Sequence, residues 1–366
     1  MNILISIAHP AHVHLFKNTI WMLEEKGHAI KIIARDKDVC RHLLDSYGFD
    51  YELISNAGFG MWGLATEFVN RAIKLFPIFL NFNPDIIVAL MDPSIGINSR
   101  IFRKKYISFS DTEHATLLEK LVLPLTDAVV TPSCFKKDFG IKQIRYAGYH
   151  ELAYLHPNRF TPNPEILTEI GLSENDSFII MRFVSWGAHH DYGHNTLTLN
   201  DKLNAVNEFK KYGHVHITSE HELPPELEEY RITVSPEKIH HLLYYATLLY
   251  GDSATMASEC AVLGTHSIFC DYAGRGYTDE EEKNYNLVYN FYDEITMGKE
   301  SLDKAIELLK NPNLRKEGKT KRQKLLGDKI DVSEFMVWFV KNYPESADQL
   351  KQDQLSSEAL YSQLKS

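Results

Sequence analysis

The sequence predicts an α/β protein built from two doubly wound, Rossmann-like parallel-sheet domains in tandem, with a cleft between them. Three observations carry this. Short β-rich runs alternate with helical patterns through the first 150 residues. The alternation stops over a Pro- and Asn-rich stretch and then restarts. The chain has 366 residues and 44 % hydrophobic content, enough for two cores. The expected layout is a first domain at 1–150, a linker at 151–172, a second domain at 173–343 and a polar tail at 344–366.

The elements follow in order. "NILISIA" (2–8) reads as a buried strand, and "VHLFKNTIWMLEEKG" (13–27) as a helix that ends in Gly27. "HAIKIIAR" (28–35) and "KDVCRHLLDSYG" (37–48) repeat the pair. Strands follow at 84–92, 105–111 and 127–133. The second domain offers strands at 177–184, 214–220, 247–253 and 266–271, with helices at 199–213, 235–246 and from about Thr255. In such sheets ligands sit beyond the carboxyl ends of the strands.

Composition narrows the function. The balance of 39 basic against 49 acidic residues leaves a net charge of -10, which argues against a nucleic-acid partner. The four cysteines are dispersed and form no CxxC pair, so reduced thiols and no zinc site are expected. The N-terminus lacks a signal peptide, and no apolar run reaches the roughly 18 residues of a membrane span. A soluble, cytoplasmic protein is expected. "MWGLATEFVNRAIKLFPIFLNF" (61–82), with Arg71 and Lys74, has two readings. It is a buried helix of the first domain, or an interfacial helix that gives peripheral contact with the membrane.

Candidate site residues cluster at strand ends. In "GDSATMASE", Ser253, Ala254 and Thr255 open a helix whose free N–H groups and dipole favour an anion. Glu259, one turn on, suits the hydroxyls of a ribose; the plainer reading is a cap by Asp252 or Ser253 and a solvated Glu259. "AHPAHVHLF" places His9, His12 and His14 after the first strand, as a base or an acceptor contact. "SDTEHA" brings Asp111, Glu113 and His114 together, and "MDPS" adds Asp92. These carboxylates are catalytic candidates, or Asp111 or Thr112 caps the next helix. "MRFVSWGAHHDYGH" offers Arg182 for a phosphate, and Trp186, His190 and Asp191 for a base or sugar rather than a metal. "ITSE" adds Ser219 and Glu220.

Taken in series, "HPAHVHLFKN", "SDTEHA", "RFVSWGAHHDYGH", "ITSE", "KIHHLLYYA" and "GDSATMASECAVLGT" resemble a family of uncharacterised prokaryotic proteins, catalogued as a domain of unknown function and labelled predicted glycosyltransferases. That family is similar to GT-B glycosyltransferases and to UDP-N-acetylglucosamine 2-epimerases. The resemblance implies a GT-B-like fold in which the second domain holds the nucleotide sugar. Ser253, Ala254 and Thr255 would take the diphosphate and Glu259 the ribose. "HVHLF" looks like the histidine-bearing first loop of the lipid-linked N-acetylglucosaminyltransferase of peptidoglycan synthesis, which makes His12 the expected base. Asp92, Asp111 and Glu113 resemble the acidic residues of the epimerases by position. The chain departs from these relatives in four places: Met181–Arg182 replaces a His–Arg pair, "HPAH" replaces a Gly-rich loop, Asp252 stands where many have glutamate, and a third acidic motif is missing.

The expected activity is metal-independent sugar transfer from a nucleotide sugar, UDP-linked, to a glycan, a lipid-linked sugar or a small polyol. No cofactor is expected beyond the nucleotide sugar. The alternatives are an epimerase acting on the nucleotide sugar alone and a non-catalytic binder.

Overall fold

A computed structural model describes residues 1–56, 58, 60–184, 197–219 and 222–352. It divides into two compact units, 1–159 with 329–366, and 160–328.

The first unit runs β1 (Asn2–Ile7), α1 (Pro10–Glu25), β2 (Ala29–Asp36), α2 (Cys40–Ser46), β3 (Tyr51–Asn56), α3 (Gly60–Phe82), β4 (Ile86–Leu90), α4 (Pro93–Ile101), β5 (Lys105–Phe109), α5 (Thr116–Val122), β6 (Ala128–Pro132), β7 (Gln143–Tyr146) and α6 (Leu152–Leu155). The strands pair in parallel in the order β3-β2-β1-β4-β5-β6-β7. Strand order reverses between β1 and β4. The central strands are buried on both faces, which is why they read as unbroken apolar runs. Right-handed crossovers put α3, α4 and α5 on one face of the sheet. One core cluster joins that layer: Leu75 and Phe79 of α3 and Ile95 of α4 meet Leu4, Ile87 and Tyr106 of the sheet.

The second unit runs α7 (Glu165–Glu169), β8 (Phe178–Arg182), α8 (Leu199–Phe209), β9 (His214–Thr218), α9 (Ile239–Tyr245), β10 (Leu248–Gly251), α10 (Ala254–Leu263), β11 (His266–Cys270), α11 (Gly276–Glu280), β12 (Val288–Phe291), α12 (Met297–Leu309) and α13 (Leu314–Asp328). Its five parallel strands lie in the order β12-β11-β10-β8-β9, with the reversal between β8 and β10. Its core gathers Ile179, Met181, Phe209, Tyr250 and Ile268.

The chain then returns to the first unit as α14 (Val332–Lys341) and α15 (Glu345–Gln352). Phe335 stacks on Tyr146 with ring centroids 5.1 Å apart. Arg159 pairs with Asp331 at 2.8 Å and with Glu334 at 3.0 Å. Residues 329–343 thus belong with the first sheet and not with the second, where the sequence put them. An amphipathic helix announces that it covers a core, not which one. The linker at 151–172 differs too, because Leu152–Leu155 is a buried helical turn.

Among the described residues, no helix is long and apolar enough to cross a membrane. The four cysteines are free thiols.

Candidate functional site

Both strand-order reversals carry the residues that the sequence singled out. In an open α/β sheet, such a reversal parts the loops on either side and leaves a crevice.

At the first reversal β1 ends in Ala8–His9–Pro10. Pro10 opens α1, where a missing N–H costs nothing, and His9 is the N-cap, its Nδ1 accepting from Ala11 N at 3.2 Å. His12 Nδ1 accepts from Ala8 N at 3.3 Å. Burial and the nearby His9 push its pKa down to about 3. The ring is therefore neutral, with its proton on Nε2. The ring, expected as the base, offers a donor here, and its accepting nitrogen is engaged by Ala8 N.

A second histidine, His150, stands near it. His150 Nδ1 lies 3.0 Å from Asp111 Oδ2. Burial alone would lower the His150 pKa, but the Asp111 carboxylate more than offsets that, and the net shift is upward. Asp111 is held below the usual carboxylate range, against its own burial, first by His150. His150 Nε2 is buried with no hydrogen-bond partner among the described residues. A histidine fixed on one nitrogen by a carboxylate and unpaired on the other is the arrangement of a general base. Tyr146 lies parallel to its ring, at 6.5 Å. Glu113 is buried and accepts from Lys136 N at 3.3 Å.

Other expectations change here. Asp92, expected as a catalytic carboxylate, has a structural set of partners. It caps α4, and both its oxygens are taken: Oδ1 by Ser94 N, Ser94 Oγ and Ile95 N, Oδ2 by Ser6 Oγ and Arg71. The 2.6 Å pair with Arg71 is buried, and it holds the Asp92 pKa down against the upward push of burial. His14 packs between the rings of Tyr47 and Tyr154, a core position on α1. His114 is exposed. Neither Asp111 nor Thr112 caps α5, whose N-cap is Ala115 without a side-chain bond.

At the second reversal β10 ends in Gly251 and α10 begins at Ala254, with Ser253 as N-cap; its Oγ accepts from Met256 N at 3.4 Å. The N–H groups of Ala254 and Thr255 have no acceptor within the helix. Ser253, Ala254 and Thr255 are half-exposed, whereas the helix beyond Met256 is buried. Gly251 is required: a Cβ there would lie 1.8 Å from the Arg182 carbonyl oxygen. Arg182 ends β8 in register with Gly251 and with Thr218. Ser219 follows, half-buried.

Two charged groups deepen this site. Asp252 Oδ1 accepts from Val184 N at 2.7 Å, while Oδ2 has no partner among the described residues. Burial pushes its carboxyl up to about 6. Lys202 of α8 is 4 % exposed, lies 4.6 Å over the Phe183 ring, and has its pKa lowered by burial against the pull of Asp252. Glu259 is 5 % exposed and sits 2.9 Å from His240 Nε2, so the solvated face expected for it is wrong.

Sequence reasoning missed His150, Lys202 and His240. His150 stood at the very end of the first domain, against the stretch read as a linker. Lys202 looked like one more surface lysine. Only the doublet in "KIHHLLYYA" hinted at His240. Trp186, His190, Asp191 and Glu220 lie outside the described residues. Among the described residues, no group of three or more His, Cys, Asp or Glu is placed to hold a metal ion.

A family model described as a protein of unknown function, DUF354, matches residues 1–281. The chain belongs to that family. It is 24 % identical over 286 residues to an uncharacterized protein of Methanocaldococcus jannaschii, covering 74 % of this chain and 82 % of that one. Its structure is similar to UDP-GlcNAc 2-epimerase from Neisseria meningitidis bound to UDP-GlcNAc, with a TM-score of 0.65 and 11 % identity over 97 % of this chain and 100 % of that one. It is also similar to the spinosyn forosaminyltransferase SpnP, with a TM-score of 0.63 and 12 % identity over 93 % and 100 % of the two chains. At such identities the likeness establishes the fold: this DUF354 chain has the two-sheet architecture of GT-B glycosyltransferases and UDP-GlcNAc 2-epimerases.

Proposed function

We propose that this DUF354 chain is a nucleotide-sugar-dependent glycosyltransferase. The observation that carries the reading is the second reversal point, where an open helix N-terminus lies among Arg182, buried Lys202 and Asp252, whose carboxyl burial pushes up to about 6. Free N–H groups and two cations suit a diphosphate. UDP is the nucleotide proposed, because the Neisseria relative is bound to UDP-GlcNAc. His240 fixes Glu259 for the ribose.

In the reaction, an acceptor hydroxyl attacks the anomeric carbon. The bond from that carbon to the diphosphate oxygen breaks, and the nucleoside diphosphate leaves. Its charge is stabilised by the α10 N-terminus, Arg182 and Lys202, and the reading needs no cofactor beyond the nucleotide sugar. In the first unit, His150 Nε2 is the group proposed to take a hydroxyl proton, with Asp111 stabilising the imidazolium. His12 offers its Nε2 proton to the acceptor. The acceptor is a glycan, a lipid-linked sugar or a small polyol.

The second reading, epimerisation, is supported by the same fold likeness and by Asp111 and Glu113 as acid and base. It has lost Asp92 to the Arg71 pair.

Thermal melting with a panel of nucleotides and nucleotide sugars tests the donor site. A ligand at about 100 times its Kd adds about 2.7 kcal/mol to stability. UDP or a UDP-sugar is expected to stabilise the wild type, and Arg182→Gln is expected to lose that effect. No stabilisation by any nucleotide overturns the reading. Incubating the stabilising sugar nucleotide alone then separates the two chemistries, since only an epimerase converts it without an acceptor.

A further inference from the structure

Helices α3, α4 and α5 cover one face of the first sheet, and their outer surface is apolar. On α3, Val69, Ile73, Phe76 and Leu80 recur at helical spacing and all are exposed, Ile73 by 65 %. The stripe spans about 17 Å at 1.5 Å per residue. Phe76 meets Phe102 just beyond α4 at 4.9 Å, which joins α3 to α4, and the last residue of α4, Ile101, is exposed as well. On α5, Leu117 and Leu121 continue the surface, Leu117 exposed by 73 %. An apolar patch of this extent marks an interaction surface.

The exposed charges on these three helices have one sign. The chain carries a net charge of -10. Yet the only carboxylate of α3, Glu67, is buried in a 2.7 Å pair with Arg35, and that of α5, Glu119, is buried against Lys137 at 2.6 Å. Asp127, beyond α5, faces Arg100 at 3.6 Å. The exposed charges carried by the three helices are Lys74, Arg100 and Lys120, and Arg103 and Lys105 follow α4, while the exposed carboxylate of Asp85 lies beyond the end of α3.

We infer that this layer docks on an anionic phospholipid surface, with α3 lying in the plane of the headgroups. Apolar side chains flanked by lysine and arginine fit such a surface. A second copy meeting the same face would set like charges against each other. The inference is independent of the proposed chemistry.

Co-sedimentation with vesicles tests it, using phosphatidylcholine alone and phosphatidylcholine mixed with phosphatidylglycerol. The wild type is expected to bind the mixed vesicles, to bind phosphatidylcholine far more weakly, and to release in high salt. The double change Ile73→Glu and Leu80→Glu is expected to weaken binding by more than about tenfold. Lys74→Gln and Lys120→Gln remove no apolar contact and are expected to cost about fivefold each, the equivalent of about 1 kcal/mol per basic residue at an anionic surface. The idea fails if the wild type stays in the supernatant, or if the folded glutamate variant sediments like wild type. It also fails if sedimentation equilibrium shows a dimer that the glutamate pair dissociates while vesicles bind neither protein.

Discussion

Asp252 couples stability to pH. Its carboxyl rises on folding from 3.8 to about 6, so the folded state holds the proton more tightly than the unfolded state does. The contribution is fully favourable below the unfolded value and is lost as pH rises through about 6. At neutral pH the deficit is about 3 kcal/mol. Asp252→Asn keeps an oxygen for Val184 N and removes the charge. Urea melts are expected to show the variant more stable than wild type at neutral pH and equal to it near pH 4. An anion at Ala254 and Thr255 meets the same carboxylate, so nucleotide affinity is expected to fall for the wild type as pH rises, and not for the variant. His150 gives the opposite kind of control. A base must be neutral, and the pKa of this one lies above 6.5. Transfer is expected to slow as pH drops through that raised value, and Asp111→Asn is expected to move the limb to lower pH. His150→Gln should cost about 10²–10⁴ in kcat with little change in KM for the sugar nucleotide.

Two glycines set the range at the scale of elements. Gly251→Ala places a Cβ 1.8 Å from the Arg182 carbonyl, within the β8–β10 pairing. It is expected to cost more than about 3 kcal/mol, seen as a collapsed urea midpoint. Gly327, near the end of α13, has nothing within 4 Å of an added Cβ, so Gly327→Ala is expected to add about 0.5–1 kcal/mol. Elements were legible in the sequence where burial was complete. Central strands such as "NILISI" and "AVVTP" stood out as apolar runs. β3, β7 and β12 did not, and all three are edge strands. An edge strand has one partner and a partly wet face, so its residues mix: "YELISN", "QIRY" and "VYNF". The candidate site divides along a similar line. The end of a strand is local information, so Asp111, Arg182 and Ser253 could be found. What a carboxylate pairs with is not local. Asp92 meets Arg71, 21 residues away, and Asp111 meets His150 from a segment with no periodicity to draw attention to it.

At the scale of the molecule, the two units have separate cores, so calorimetry is expected to resolve separate responses to core mutations. Phe335 of α14 is fully buried against Tyr146. Phe335→Ala should remove about 3–5 kcal/mol from the first unit. The transition of the second unit should not move, although residue 335 follows it in the chain. A shift of both transitions together would mean that the units unfold as one. The same helix has a bearing on synthesis. Ribosomes make the seven strands of the first sheet before any strand of the second, and domains fold as they emerge. But the cover over α1 and α6 is translated only after residues 160–328. The sheet made first must therefore wait, with part of its apolar surface bare, while the sheet made second emerges in one uninterrupted stretch. The newborn chain finishes its later half before its earlier one, and the Arg159–Asp331 pair is the latch that closes when it does.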